Sequence, residues 1–148
     1  MSHFVTGFIT KTDFVHQICS EYASLRAVPL EQGFSLFPLT DDLLNNLRIP
    51  RSKGLEDLDK LPNELKDLLA KLSIVCPLLY FETEYFGGVG SQLAIVFESG
   101  KIIFGPAENT IGPINEGLRL LGVKTKANND KFASIGLGQH RHTSDWLK

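Results

Sequence analysis

Two glutamates stand two positions apart in a segment that predicts a β-strand, and they are the first candidates for chemistry. Glu82 and Glu84 flank Thr83 and lie between Tyr80 and Phe86. Because side chains alternate between the two faces of a strand, both carboxylates project from the same face. Such a pair can divide acid and base roles or hold a divalent cation. The commoner arrangement is an antiparallel strand with one wet face, on which both glutamates point into water.

The segment Q-H-R-H-T-S-D-W near the end of the chain is the densest cluster of versatile side chains. His140, His142 and Asp145 have donor types that bind metals, and either histidine could act as a general base. Neither HExxH nor CxxC occurs, so we expect no metal site and interpret the segment as a docked tail or a binding surface. Arg141 and Trp146 are residue types enriched at protein interfaces. Trp146 equally suits a tail fixed on its own domain.

Three further motifs lack parts of the chemistry they resemble. The glycines of 87–90 are followed by neither a helix nor a lysine, so they predict a hairpin turn and not a phosphate-binding loop. Ser91 has no glycine two residues after it, which a nucleophile elbow requires. Cys19 and Cys76 lie in apolar settings and predict two buried, reduced thiols. We therefore expect no cofactor and no complete catalytic set.

A charged region follows Pro50 and is punctuated by Gly54, which predicts a solvated loop leading into a helix. Its carboxylates could meet a basic partner. They are Glu56, Asp57, Asp59, Glu64 and Asp67.

The strands that must position these groups follow from runs of β-branched and aromatic residues. Between Pro77 and Gly105, three such runs separated by glycine-bearing turns predict a three-stranded antiparallel meander. Its strands are expected at Leu78–Phe86, Gln92–Phe97 and Lys101–Phe104, with Gly105-Pro106 turning the chain. Two more strands are predicted at His3–Ile9 and Gly33–Phe37.

Helices are predicted where a capping residue is followed by apolar residues that recur at intervals of three and four positions. They begin at Thr12, at Thr40, near Pro62 and at Thr110, and Gly122 ends the last one. Helices combined with one contiguous antiparallel block predict an α+β fold. We expect one globular domain over 1–148, with a sheet of four or five strands and helices packed mainly on one face.

The bulk composition excludes several classes of protein. With 43% hydrophobic and 22% charged residues, the chain has the composition of a globular protein. A net charge of −2 gives no electrostatic reason to expect nucleic-acid binding, since nucleic-acid-binding domains usually show a basic face. No run reaches the length of a membrane span, and no basic region followed by an apolar core precedes the first strand. We therefore expect a cytoplasmic protein that binds neither nucleic acid nor membrane.

Three segments resemble small uncharacterised bacterial proteins, among them immunity proteins of contact-dependent growth inhibition and related polymorphic toxin systems. They are E-T-E-Y-F-G-G-V-G-S-Q (82–92), I-N-E-G-L-R-L-L-G-V (114–123) and G-L-G-Q-H-R-H-T-S-D-W (136–146). The resemblance implies a cytosolic protein that binds one toxin domain, often a nuclease, and blocks its active site or substrate path. It implies no catalytic residue, since such proteins act by binding.

The leading hypothesis is therefore an immunity protein that occludes a toxin domain. Carboxylates would face basic groups of the toxin while aromatic side chains anchor the contact. The predicted partner-binding residues are Glu56, Asp57, Asp59, Glu82, Glu84, Tyr85, His140, Arg141, His142 and Trp146. The alternatives are a small enzyme that uses Glu82 and Glu84 with a C-terminal histidine, and a homodimer that pairs through an exposed edge of the meander.

Overall fold

The structure is a computed structural model that describes residues 2–50, 61–86, 89–109, 112–124, 131–137, 140 and 142–147. Its strands are β1 (Ser2–His3), β2 (Thr6–Lys11), β3 (Val28–Pro29), β4 (Phe34–Pro38), β5 (Leu78–Phe86), β6 (Val89–Glu98) and β7 (Lys101–Asn109). Its α-helices are α1 (Val15–Glu21), α2 (Asp41–Asn46), α3 (Asn63–Val75), α4 (Pro113–Leu121) and α5 (Lys131–Ser134). Within the same residues, 3-10 helices span Thr12–Phe14 and Thr143–Leu147.

The described strands form one antiparallel sheet in the order β3-β4-β2-β5-β6-β7. Strands β1 and β2 both pair with β5, and they do so in the same register. Ser2 of β1 lies opposite Phe86, and Thr6 of β2 lies opposite Glu82. The two therefore lie end to end along β5, and the sheet is six strands wide. The prediction of four or five strands is wrong because β3 has only two residues, too few to show an alternating pattern.

The meander is confirmed, but its last two strands are longer than predicted. Strand β5 has the predicted bounds, and β5 and β6 pair up to Phe86 opposite Val89, as a hairpin requires. Gly87 and Gly88 lie outside the described residues. Strand β7 runs through Gly105-Pro106, where the sequence predicted a turn. Proline is tolerated there because β7 is an edge strand, and the ladder between β6 and β7 has register shifts.

Helices cover both faces of the sheet, so the expectation that they pack mainly on one face is wrong. In β5, Leu78 and Tyr80 belong to a core shared with α1, α2 and α3, whereas Leu79 and Phe81 belong to a second core shared with α4. All four side chains are fully buried. A strand that is apolar on both faces must be covered on both. The run L-L-Y-F carries this signal in the sequence.

Local signals set the helix ends that the sequence predicted. Thr40 Oγ1 accepts a hydrogen bond from the Leu43 backbone N–H at 3.2 Å and caps α2. Gly122 adopts φ 100° and ends α4. Helix α4 begins at Pro113, and the predicted cap Thr110 lies outside the described residues.

None of the helices in the described ranges combines the length and the apolar character needed to cross a membrane.

Candidate functional site

A cavity of about 390 Å³ lies where the α1–α3 face of the sheet meets the C-terminal segment. We call it the Glu82 cavity. The two strand glutamates and one C-terminal histidine share it, although they are far apart in sequence. Its described lining residues are Phe4, Thr6, Leu39, Thr40, Asp41, Leu44, Leu65, Tyr80, Glu82, Thr83, Glu84, His142, Thr143 and Ser144.

A buried hydrogen bond fixes one carboxylate in this cavity. The Tyr80 hydroxyl donates to Glu82 Oε2 at 2.5 Å, and Tyr80 and Glu82 are 0% and 6% exposed. Burial, the charge of the Glu82 carboxylate and the hydrogen bond to it raise the pKa of Tyr80 well above its usual range. The phenol therefore keeps its proton and acts as a donor that orients Glu82.

The two glutamates of β5 differ in environment although they share a face. Glu84 is exposed, as expected for a wet strand face, but Glu82 is buried. The expectation that both carboxylates point into water is therefore wrong for Glu82. Its cross-strand neighbour is Thr6, to which the C-terminal segment binds, so the cover at this position comes from a distant part of the chain.

The C-terminal segment docks on Phe4, just before β2, and on Thr6, the first residue of β2. His142 forms an isolated parallel bridge with Phe4, and the Thr143 N–H donates to the Phe4 carbonyl at 3.1 Å. The Thr6 N–H donates to Thr143 Oγ1 at 2.9 Å. These bonds place His142 at the cavity, with its ring stacked on that of Phe4 at a centroid distance of 6.0 Å. The Nδ1 atom of His142 lies 3.5 Å from Asp145 Oδ2.

Trp146 is 4% exposed and packs in the second core. Its burial contradicts the exposed position that an interface anchor needs and agrees with a tail fixed on its own domain. His140 is exposed, and its ring meets the indole edge-on at a centroid distance of 4.7 Å. The predicted partner-binding residues Glu56, Asp57, Asp59 and Arg141 lie outside the described residues.

Residues of β5 and β6 pack closely against α4. Gln92 Nε2 donates to the half-buried Tyr85 hydroxyl at 2.9 Å, and Gln92 Oε1 accepts from the Ile114 N–H at 2.7 Å. A Cβ atom at Gly117 would lie 2.6 Å from Leu79 Cδ1, so glycine allows α4 to approach the sheet. These residues have structural roles, and for Tyr85 partner binding stays a prediction.

The cysteines are both free thiols. Cys76 is buried and Cys19 is half-buried. Burial raises the pKa of Cys19 and raises that of Cys76 to about 11. The neutral thiol is a poor nucleophile, so neither cysteine is activated for catalysis. Within the described ranges, no three His, Cys, Asp or Glu side chains are grouped so that they could hold a metal ion.

A second cavity of about 380 Å³ adjoins the first one. Thr40 and Ser144 line both cavities, so they form one groove between α2 and the C-terminal 3-10 helix. Arg26 and Asp42 contribute opposite charges to this second cavity. No local sequence pattern indicates this groove, because Thr40-Asp41-Asp42 has only the pattern of a helix cap.

Comparison of the chain with protein-family models, with curated proteins and with solved structures gave no match.

Proposed function

We propose that this chain is a cytoplasmic immunity protein that binds a toxin domain and covers its active site. The observation that carries the proposal is the Glu82 cavity, whose rim combines carboxylates with exposed aromatic surface. Glu84 and Asp41 are exposed, and Phe4 keeps 37% of its surface accessible beside the exposed His142 ring. Protein interfaces favour this combination of an aromatic contact with charged groups at the edge.

The mechanism is occlusion by charge and shape. A basic side chain of the toxin domain approaches Glu84 at the rim while neighbouring toxin residues pack on the rings of Phe4 and His142. Charge complementarity of this kind raises the association rate and excludes partners of the wrong sign. The bound chain prevents substrate from reaching the toxin without any chemistry of its own.

The test mixes the purified chain with the C-terminal domain of a toxin encoded beside its gene. We expect the two to co-elute and the chain to protect cells that express the toxin. Replacing Glu84 with lysine should weaken binding about tenfold or more, because like charges then meet at the contact. The matched control is Glu98→Lys, which reverses an exposed glutamate on β6 away from the cavity. Absence of co-elution and of protection would refute the proposal.

A second candidate function is a small enzyme, and one specific observation favours it. Glu82, Glu84 and His142 line the same cavity, Tyr80 orients the first of them, and Asp145 lies beside the imidazole. Such a set can divide general acid and base roles. A panel of chromogenic esters, glycosides and phosphate esters tests this function. Turnover that is lost in both His142→Ala and Glu82→Gln would support the enzyme function. If none of these substrates is turned over, an enzyme acting on these three substrate classes is excluded.

A further inference from the structure

Each of the two adjoining cavities is lined by an exposed charged side chain that has no charged partner in the described part of the chain. Glu84 lines the first cavity and Arg26 the second, and both are exposed. In the described part of the chain, neither side chain makes a hydrogen bond or an ion pair. Glu84 therefore favours a basic ligand group in the first cavity, and Arg26 favours an acidic ligand group in the second. Asp42 also lines the second cavity, so an acidic ligand group must approach on the Arg26 side.

The middle of the groove suits a peptide main chain. Thr40 and Ser144 stand where the cavities meet. The Thr40 oxygen accepts from the Leu43 N–H, which leaves the hydroxyl hydrogen for a ligand carbonyl, and the hydroxyl of Ser144 is exposed. Each cavity also has an apolar lining residue, Leu44 in the first and Leu147 in the second. The two cavities, of about 390 and 380 Å³, share Thr40 and Ser144 and together have room for more than one side chain.

We propose that this groove binds an extended segment of a partner protein, which presents a basic side chain to Glu84 and a carboxylate to Arg26. The main chain of the segment crosses Thr40 and Ser144 between the two charges. The inference rests on the proposed function in one respect, since the toxin domain is the protein that supplies the segment.

Short capped peptides test the groove without the toxin. Acetylated and amidated hexapeptides carry one lysine and one aspartate, one to four residues apart, in a glycine–serine background. Matched peptides replace the lysine with glutamine or the aspartate with asparagine. Binding is followed through the amide NMR signals of Thr40 and Ser144. We expect saturable shifts with the doubly charged peptides of suitable spacing and much weaker shifts with both matched sets.

Two substitutions identify the ends of the groove. Glu84→Gln should weaken binding of the doubly charged peptides about two- to fivefold, as expected for the loss of a solvent-exposed ion pair. It should not change the affinity for the peptides that lack lysine. Arg26→Gln should likewise weaken binding of the doubly charged peptides and should not change the affinity for the peptides that lack aspartate. Glu98→Gln and Arg119→Gln are the controls, since both residues are exposed and neither lines the groove. Peptide affinities that both groove substitutions leave unchanged would overturn the proposal.

Other occupants give different results. If methylammonium alone produces the same shifts at the same concentration, the first cavity binds a small cation and the peptide proposal fails. If the peptides bind as expected but the chain does not neutralise the toxin, the groove stands and the proposed function falls. If the Glu84→Gln, Arg26→Gln double variant binds and neutralises the toxin as the parent does, the groove falls and the proposed function stands.

Discussion

Replacing Tyr80 with phenylalanine removes one oxygen from the centre of the protein and should show how strongly the buried Glu82 carboxylate depends on that donor. The hydroxyl is fully buried and donates to Glu82 Oε2 at 2.5 Å. Hydrogen bonds to charged groups contribute about 1.5–3 kcal/mol. We therefore expect Tyr80→Phe to lower the free energy of unfolding by about 1.5–3 kcal/mol at pH 7. For a domain of this size, that loss lowers the melting temperature by about 3–12 °C.

The same variant should change how stability depends on alkaline pH. The pKa of Tyr80 is raised in the folded chain, so its contribution is complete below about pH 10, the usual tyrosine value. Above that pH the unfolded chain loses the Tyr80 proton while the folded chain keeps it. Stability of the parent therefore falls by about 1.4 kcal/mol per pH unit from this group. Tyr80→Phe lacks the contribution, so the difference in stability between the two proteins should shrink as the pH rises from 10 to 11.

Urea unfolding at pH 7, 10 and 11 measures both effects. Tyr22→Phe is the control, because Tyr22 is half-buried and its hydroxyl makes no hydrogen bond within the described part of the chain. It should change stability by less than about 0.5 kcal/mol. The reasoning is refuted if Tyr80→Phe is no less stable than this control at pH 7. It is also refuted if the difference from the parent stays constant between pH 10 and 11.

Three further substitutions or treatments follow from the packing. Gly117→Ala should destabilise the fold by about 1–3 kcal/mol in urea unfolding, because the new methyl overlaps the buried Leu79 side chain. A stability equal to that of the parent would contradict this tight contact between α4 and the sheet. Trp146→Ala should lower the free energy of unfolding by about 3–5 kcal/mol, because the indole is buried. The rate of amide hydrogen exchange at Thr143 should rise in this variant. An unchanged exchange rate would contradict docking of the C-terminal segment through the indole. Cys76 is buried and its pKa is raised to about 11, so it should resist an aromatic disulfide reagent at pH 8 until urea unfolds the chain. Rapid modification of Cys76 itself in the native protein, located by peptide mapping because Cys19 is also a free thiol, would contradict its burial.

Much of the local structure was predictable because it depends on neighbouring residues. The bounds of β5, the cap at Thr40 and the helix end at Gly122 each follow from side-chain alternation or from one residue's backbone preference. Strand β3 was missed because it exists only through pairing with β4. The passage of β7 through Pro106 was missed because only the sheet order shows that this strand lies at an edge.

The candidate site was predictable in its residue types but not in its geometry. Alternation places Glu82 and Glu84 on one face, and the types of His142 and Asp145 were recognised from the sequence. Which glutamate is buried depends on what packs around each position in three dimensions. Next to Glu82 this includes Thr6, to which Thr143 of the C-terminal segment is hydrogen-bonded. Arg26 carries no local pattern that marks it as part of a groove.

The sequence by itself determined an α+β chain with an antiparallel meander, because strand and helix periodicities are properties of adjacent residues. Only the tertiary structure decided that helices cover both faces, that Trp146 is buried, and that His142 lines the same cavity as two strand glutamates. Those outcomes depend on contacts between residues far apart in the chain, which no local pattern encodes. The cavity and its groove exist only because those distant segments meet.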